Sequence, residues 1–121
     1  MRYFILTLFI IAITAVATAG TKELYPSNGL IDHIKQVEGF RQCAYKDSKN
    51  NAIGYGTQRY EDGTLVPLTI GKGKNKKPNC ITEQRAEELL YHFVFYKAGQ
   101  IDAWAKTYKI KLNQNEFDAI V

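Results

Sequence analysis

The chain has 121 residues, room for one small domain and too little for a multidomain assembly. Sixteen Lys and Arg against twelve Asp and Glu leave a formal charge of +4 and a pI near 9.0. That balance suits an anionic partner, whether wall polymer, nucleic acid or lipid surface, or simply keeps a secreted domain soluble.

The first element is a targeting segment, residues 1–19. Met1-Arg2 gives a basic start, an apolar run follows from Phe4 to Ile13, and small residues end it. Ala17-Thr18-Ala19 fits a small-x-small cleavage site, so the segment reads as a signal peptide or, uncleaved, as a signal-anchor. As a helix it would reach roughly 25 Å, slightly short for a membrane span. Either way the domain is expected to be exported, with any membrane contact confined to this segment. In an oxidising compartment Cys43 and Cys80 can form one disulfide or remain separate thiols. His33 and His92 stand apart from each other and from both cysteines, so no metal site is expected.

Residues 20–28 are polar, contain Pro26 and read as a linker; the folded domain is expected over residues 29–121. Ser27 can cap a helix that places Leu30, Ile31, Ile34 and Val37 on one face and stops at Gly39. Glu38 then sits in the last turn, where the helix dipole disfavours a carboxylate. A residue that breaks a local rule is a functional candidate, although a glutamate paired with Lys35 or Arg41 would also explain it.

Residues 43–46 read as a short strand, and Asp47 opens a cluster of turn formers, Ser48-Lys49-Asn50-Asn51. A second strand is expected over residues 52–59. Gly54 and Gly56 alternate within it and leave one face open to close approach by backbone or sugar. Asp62-Gly63 signals a hairpin, with residues 64–67 completing a small antiparallel sheet. Residues 69–79 carry Lys72, Lys74, Lys76 and Lys77 among Gly, Asn and Pro, and read as a mobile, solvated basic loop.

Thr82 caps a long helix whose apolar stripe is expected at Ala86, Leu89, Leu90, Phe93, Tyr96 or Lys97, Ile101 and Trp104, with a bend possible at Gly99. Asn113-Gln114-Asn115-Glu116 has the pattern of a capping box, followed by an apolar face at Phe117 and Ile120. The sequence stops at Val121, leaving that stripe without an evident partner.

Glu38 and Asp47, separated by eight residues and carried on elements of different kinds, suit bond cleavage by a general acid and a second carboxylate. Glu38-Gly39-Phe40-Arg41, Ala44-Tyr45-Lys46-Asp47 and Ile53-Gly54-Tyr55-Gly56-Thr57 resemble the active-site helix and hairpin of the bacteriophage-type lysozymes, the glycoside hydrolase family 24 endolysins or muramidases. Residues 81–90 resemble the start of that family's interlobe helix, and residues 112–119 the entry to its second lobe.

The resemblance implies a lysozyme-like α+β fold and hydrolysis of the β-1,4 bond between N-acetylmuramic acid and N-acetylglucosamine in bacterial peptidoglycan. No cofactor is implied. Glu38 would be the general acid and Asp47 the carboxylate that orients water or stabilises oxocarbenium charge. Tyr55, Thr57, Gly54 and Gly56 would contact substrate. Two departures stand out. The family's water-positioning Thr, the sixth residue past the Asp, is matched here by Ile53 or, aligned on the strand, by Ala52. The carboxyl-terminal lobe is also expected to be incomplete.

The expectation is therefore an exported, monomeric peptidoglycan hydrolase. The rival from another class is a wall-binding remnant that holds glycan without cleaving it. The basic loop lacks interleaved aromatics, which argues against nucleic acid as a partner.

Overall fold

The computed structural model describes residues 23–121, so the targeting segment expected at residues 1–19 lies outside the described residues. Three α-helices and four short strands follow in the order α1 (Asn28–Glu38), β1 (Arg41–Asp47), β2 (Asn50–Gly54), β3 (Thr69–Ile70), β4 (Lys77–Pro78), α2 (Glu83–Thr107) and α3 (Gln114–Ile120). The architecture is α+β. Among the described residues no helix is long and apolar enough to cross a membrane.

Local chemistry explains how each helix begins. Ser27 accepts from the Leu30 N–H, Thr82 from the Arg85 N–H, and Asn113 with Glu116 forms a reciprocal capping box. Gly39 ends α1 at φ 66°, and its N–H donates to the Lys35 carbonyl. Val37 departs from the expected apolar face and is 67% exposed, because Ile31 and the half-buried Leu30 and Ile34 meet the core instead.

The stretch expected to be a linker is a packed segment. Pro26 is buried, and α1 starts one residue earlier than the expected domain boundary. Ser27 donates to Asp118 of α3 through both its hydroxyl (2.5 Å) and its N–H (3.2 Å). Gln114 donates to the Tyr25 carbonyl at 2.8 Å. Helix α3 therefore has a partner within the chain: Phe117 is fully buried and Val121 packs on the core, while Ile120 remains half exposed.

Burial acts to raise the pKa of Asp118, but the hydrogen bonds from Ser27 and Gln114 outweigh it and hold the carboxyl below the usual aspartate value of 3.8. A depressed folded-state pKa contributes stability above the unfolded value, and that stability is lost as pH falls through the folded one. Asp118→Asn is accordingly expected to lose about 1 kcal/mol at pH 7. The gap from the native chain should close below pH 3.8, which urea unfolding at both pH values would read. A gap that widened in acid would contradict the assignment.

Strands β1 and β2 pair antiparallel, from Asp47 opposite Asn50 to Arg41 opposite Gly54, with an irregularity between Arg41 and Tyr45. There β1 turns to a second partner: Ala44 N–H donates to the Asn79 carbonyl and Ile81 N–H to the Gln42 carbonyl, both at 2.8 Å. Between those bonds Cys43 and Cys80 form a disulfide.

The expected second strand is shorter than residues 52–59. Ile53 and Thr57 exchange backbone hydrogen bonds (2.9 and 3.0 Å), so Gly54-Tyr55-Gly56 is the turn of a tight hairpin. Both glycines have positive φ, 65° and 82°. The chain continues into the Asp62-Gly63 hairpin, where Arg59 pairs with Leu65 and Gly63 has φ 84°. Residues 69–79, expected as a mobile loop, form a third hairpin. Thr69 pairs with Pro78 and Ile70 with Lys77, across a 3-10 turn at Gly73–Asn75.

The core gathers Ile31 of α1, Tyr55 of the tight hairpin, and Ala86, Leu90 and Val94 of α2. Along α2 the buried positions recur mostly at four-residue intervals (86, 90, 94, 98), then at 105, beside Leu89. The stripe thus rotates away from the expected Phe93 and Trp104; Trp104 is 47% exposed. The helix runs unbroken through Gly99.

Candidate active site

Each acid is delivered by a feature already legible in its local residues. Glu38 is the last residue of α1, and its side chain lies against Gly56: a Cβ built there would be 2.9 Å from Glu38 Oε2. The alternative partners of Glu38 are otherwise engaged. Lys35 forms an ion pair with Glu87, and the Arg41 guanidinium sits 4.2 Å from the Tyr45 ring centroid.

Asp47 ends β1 at a two-residue turn in which Ser48 has φ 47°. Its Oδ2 accepts from Gln58 Nε2 at 3.2 Å, and Gln58 Oε1 accepts from Asn50 Nδ2 at 3.1 Å. Glu38 thus lies against the first residue, and Asp47 is bonded to the last, of one tripeptide, Gly56-Thr57-Gln58. At about 3.3–3.6 Å per residue, that tripeptide brings both acids to one short stretch of wall.

That wall faces a cleft of about 350 Å³. Tyr55, Gly56, Thr57, Gln58 and Arg59 form one side, and Leu90, Phe93 and Lys97 of α2 the other. Neither Glu38 nor Asp47 lines it directly; each touches one lining residue, Gly56 and Gln58 respectively. Arg59 and Lys97 make its rim basic.

The expected contact residues divide. Tyr55, Gly56 and the mostly buried Thr57 line the cleft. Gly54 does not: a Cβ there would lie 2.7 Å from the Ala86 Cβ, so this glycine admits α2 rather than a ligand. Tyr55 is 6% exposed, and its ring belongs to the core. Its hydroxyl donates to Glu83 at 2.6 Å, and that bond to a carboxylate, helped by burial, raises the tyrosine pKa. Lys35 lies over the ring at 5.3 Å from the centroid, its own pKa raised mainly by the bond to Glu87.

Arg85 of α2 fastens the Asp62-Gly63 hairpin through Glu61 (2.7 Å) and is braced by Glu88 of the same helix (3.2 Å), lowering the Glu61 pKa and raising its own. Ala52 and Ile53, the positions matching the family's Thr, are fully buried. Gln58 is the site residue that motif reading missed. The only cue was a long carboxamide two residues past a glycine turn, and its link to Asp47 depends on the hairpin geometry.

A phage lysozyme family model matches residues 35–121, which include both acids, the tight hairpin and all of α2. The chain belongs to the phage lysozyme family. Among solved structures it is similar to a crystal structure of a P22 lysozyme mutant, with 28% identity and a TM-score of 0.50. The match covers 80% of this chain and 59% of that one, so the chain spans less than two thirds of the P22 lysozyme length. No curated protein matches. The fold is thus lysozyme-like. Within it α1, the β1–β2 pair and α2 fill the places expected of the family's active-site helix, hairpin and interlobe helix.

The Gly56 contact predicts a defined lesion. Gly56→Ala puts a methyl group 2.9 Å from Glu38 Oε2 at a φ of 82°. The left-handed conformation is expected to cost about 1–2 kcal/mol. With Glu38 as the acid of a hydrolytic site, a displacement of its carboxyl by about 1 Å is expected to lower turnover roughly 100-fold. Thermal unfolding and turnover on purified wall would read the two effects, and unchanged turnover would remove Gly56 from the site.

Proposed function

We propose that the chain is a muramidase of glycoside hydrolase family 24, cleaving the β-1,4 bond between N-acetylmuramic acid and N-acetylglucosamine in peptidoglycan. The observation that supports this reading is that Glu38 lies against Gly56 and Asp47 accepts from Gln58, two residues that line one cleft wall.

Glu38 donates its proton to the glycosidic oxygen as the carbon–oxygen bond breaks, so the leaving sugar departs as an alcohol. Asp47 faces the positive charge that develops on the ring and orients the water that ends the reaction. Gln58, braced by Asn50, fixes Asp47 in a chain whose Ala52 and Ile53 lack the family's hydroxyl. Gly56 and Thr57 contact the sugar. Arg59 and Lys97 favour a glycan that carries carboxylates. No cofactor enters this chemistry. Residues 1–19 direct export, residues 20–28 lead into the domain at residues 29–121, and the exported chain acts as a monomer with no nucleic-acid partner.

A second reading, wall binding without cleavage, is favoured by one observation: both positions matching the Thr are apolar and fully buried. Digestion of purified sacculi followed by borohydride reduction separates the two. The muramidase reading expects reduced muramic acid at the new ends. Reduced glucosamine alone would overturn the bond assignment. Pelleting with the wall but releasing no reducing ends would establish the second reading.

A further inference from the structure

The third hairpin holds charge that the muramidase mechanism leaves unused. Lys72, Lys74, Lys76 and Lys77 fall within six positions, and no acidic residue occurs between Asp62 and Glu83. Four lysines equal the formal excess of +4 carried by the whole chain. All four are exposed, and among the described residues none lies within ion-pair distance of a carboxylate. Elsewhere Lys35, Arg85 and Lys106 are each paired with acids.

The hairpin is built to hold this charge in place. Its strands pair at Thr69–Pro78 and Ile70–Lys77. Gly71, at φ 88°, lies so close to the Asn75 carbonyl that no side chain would fit. At the base the buried Asn79 donates its N–H to the Leu68 carbonyl (3.0 Å) and its carboxamide to Tyr60 and the Pro67 carbonyl (both 2.8 Å). The Cys43–Cys80 disulfide follows directly. A flexible lysine tract would lose conformational entropy on docking, whereas a paired and anchored one has already lost much of it.

We propose that this hairpin is a docking arm for the carboxylates of the peptide stems borne by the wall glycan, holding the enzyme on insoluble substrate independently of the cleft. The proposal rests on the muramidase reading for its choice of partner, and its test uses binding, so the two can fail separately. The Glu38→Gln chain is pelleted with purified sacculi at 20 and 200 mM salt, with and without Lys72→Gln, Lys74→Gln, Lys76→Gln and Lys77→Gln together. Sacculi amidated with carbodiimide and ammonia, and anionic phospholipid vesicles, are run beside them.

The four substitutions are expected to weaken binding at low salt by about tenfold or more and to flatten its salt dependence, since each lysine near an anionic surface counts severalfold. Amidated sacculi should bind the unsubstituted arm as weakly as native sacculi bind the substituted one. In the chain retaining Glu38, the four substitutions should leave cleavage of a short, soluble, uncharged glycan unchanged, and circular dichroism should show an intact fold. Undiminished pelleting of the quadruple variant, full binding to amidated sacculi, or preference for vesicles would each overturn the arm. Arm-dependent pelleting by a chain that releases no sugar would uphold the arm and overturn the hydrolase.

Discussion

On the proposed muramidase reading, Glu38→Gln is expected to reduce peptidoglycan cleavage by about 10²–10⁴-fold, the usual weight of a general acid, while leaving thermal stability almost unchanged. Gln matches Glu in shape and can still lie against Gly56, but it has no proton to give. The stability half of the prediction follows from position. Glu38 is the exposed final residue of α1, and its neighbours Lys35 and Arg41 are committed to Glu87 and Tyr45. Removing its charge therefore breaks no ion pair identified in the fold. Release of reducing ends from sacculi measures the first half and a melting curve the second. Retained activity in Glu38→Gln would move the acid elsewhere; lost activity with a large fall in Tm would make the residue structural.

Replacing both members of the disulfide, Cys43→Ala with Cys80→Ala, is expected to lower stability by about 4 kcal/mol, the chain-entropy value for a loop of this size. The cysteines are 37 positions apart in sequence. For a domain with 5–15 kcal/mol in total, that is a large fraction, corresponding to a fall in Tm on the order of 20 °C. The effect reaches the site because the closed loop contains Asp47, Gln58 and the whole hairpin wall of the cleft. A reductant should reproduce the loss in the native chain and do nothing further to the double variant. An unchanged Tm would mean that the backbone bonds at Ala44 and Ile81 hold the junction alone.

Features encoded by neighbours in sequence were the legible ones. Ser27, Thr82 and Asn113 cap the helices expected of them because a cap is settled within four residues. Gly39 ends α1 for the same reason. Glu38 and Asp47 could be nominated from spacing and motif; in the structure Glu38 lies against Gly56 and Asp47 accepts from Gln58, two residues of the cleft wall. Features that depend on distant partners read less well. The buried face of α2 is selected by Ile31, Tyr55 and the tight hairpin, which its own periodicity could not announce. Gly54 and Gly56 look like a strand with one open face, yet one admits Ala86 and the other Glu38. The lysine hairpin has no alternating apolar pattern to betray its strands. It is held by Asn79 and the disulfide, contacts that exist only after the chain has folded back. Gln58 was hidden in the same way.

Ser27 and Asp118 lie 91 positions apart in sequence yet share two hydrogen bonds. The entry to α1 and α3 thus meet at one point, so the segment between Ser27 and Asp118 closes on itself. In a chain of residues 23–121 alone, a short flexible linker could join residue 121 to residue 23, and new ends could be opened at the exposed 3-10 turn between Lys74 and Asn75. Such a circular permutant is expected to refold with its cleft intact. It would carry the basic arm as two loose ends, which gives a way to alter stiffness while keeping every lysine.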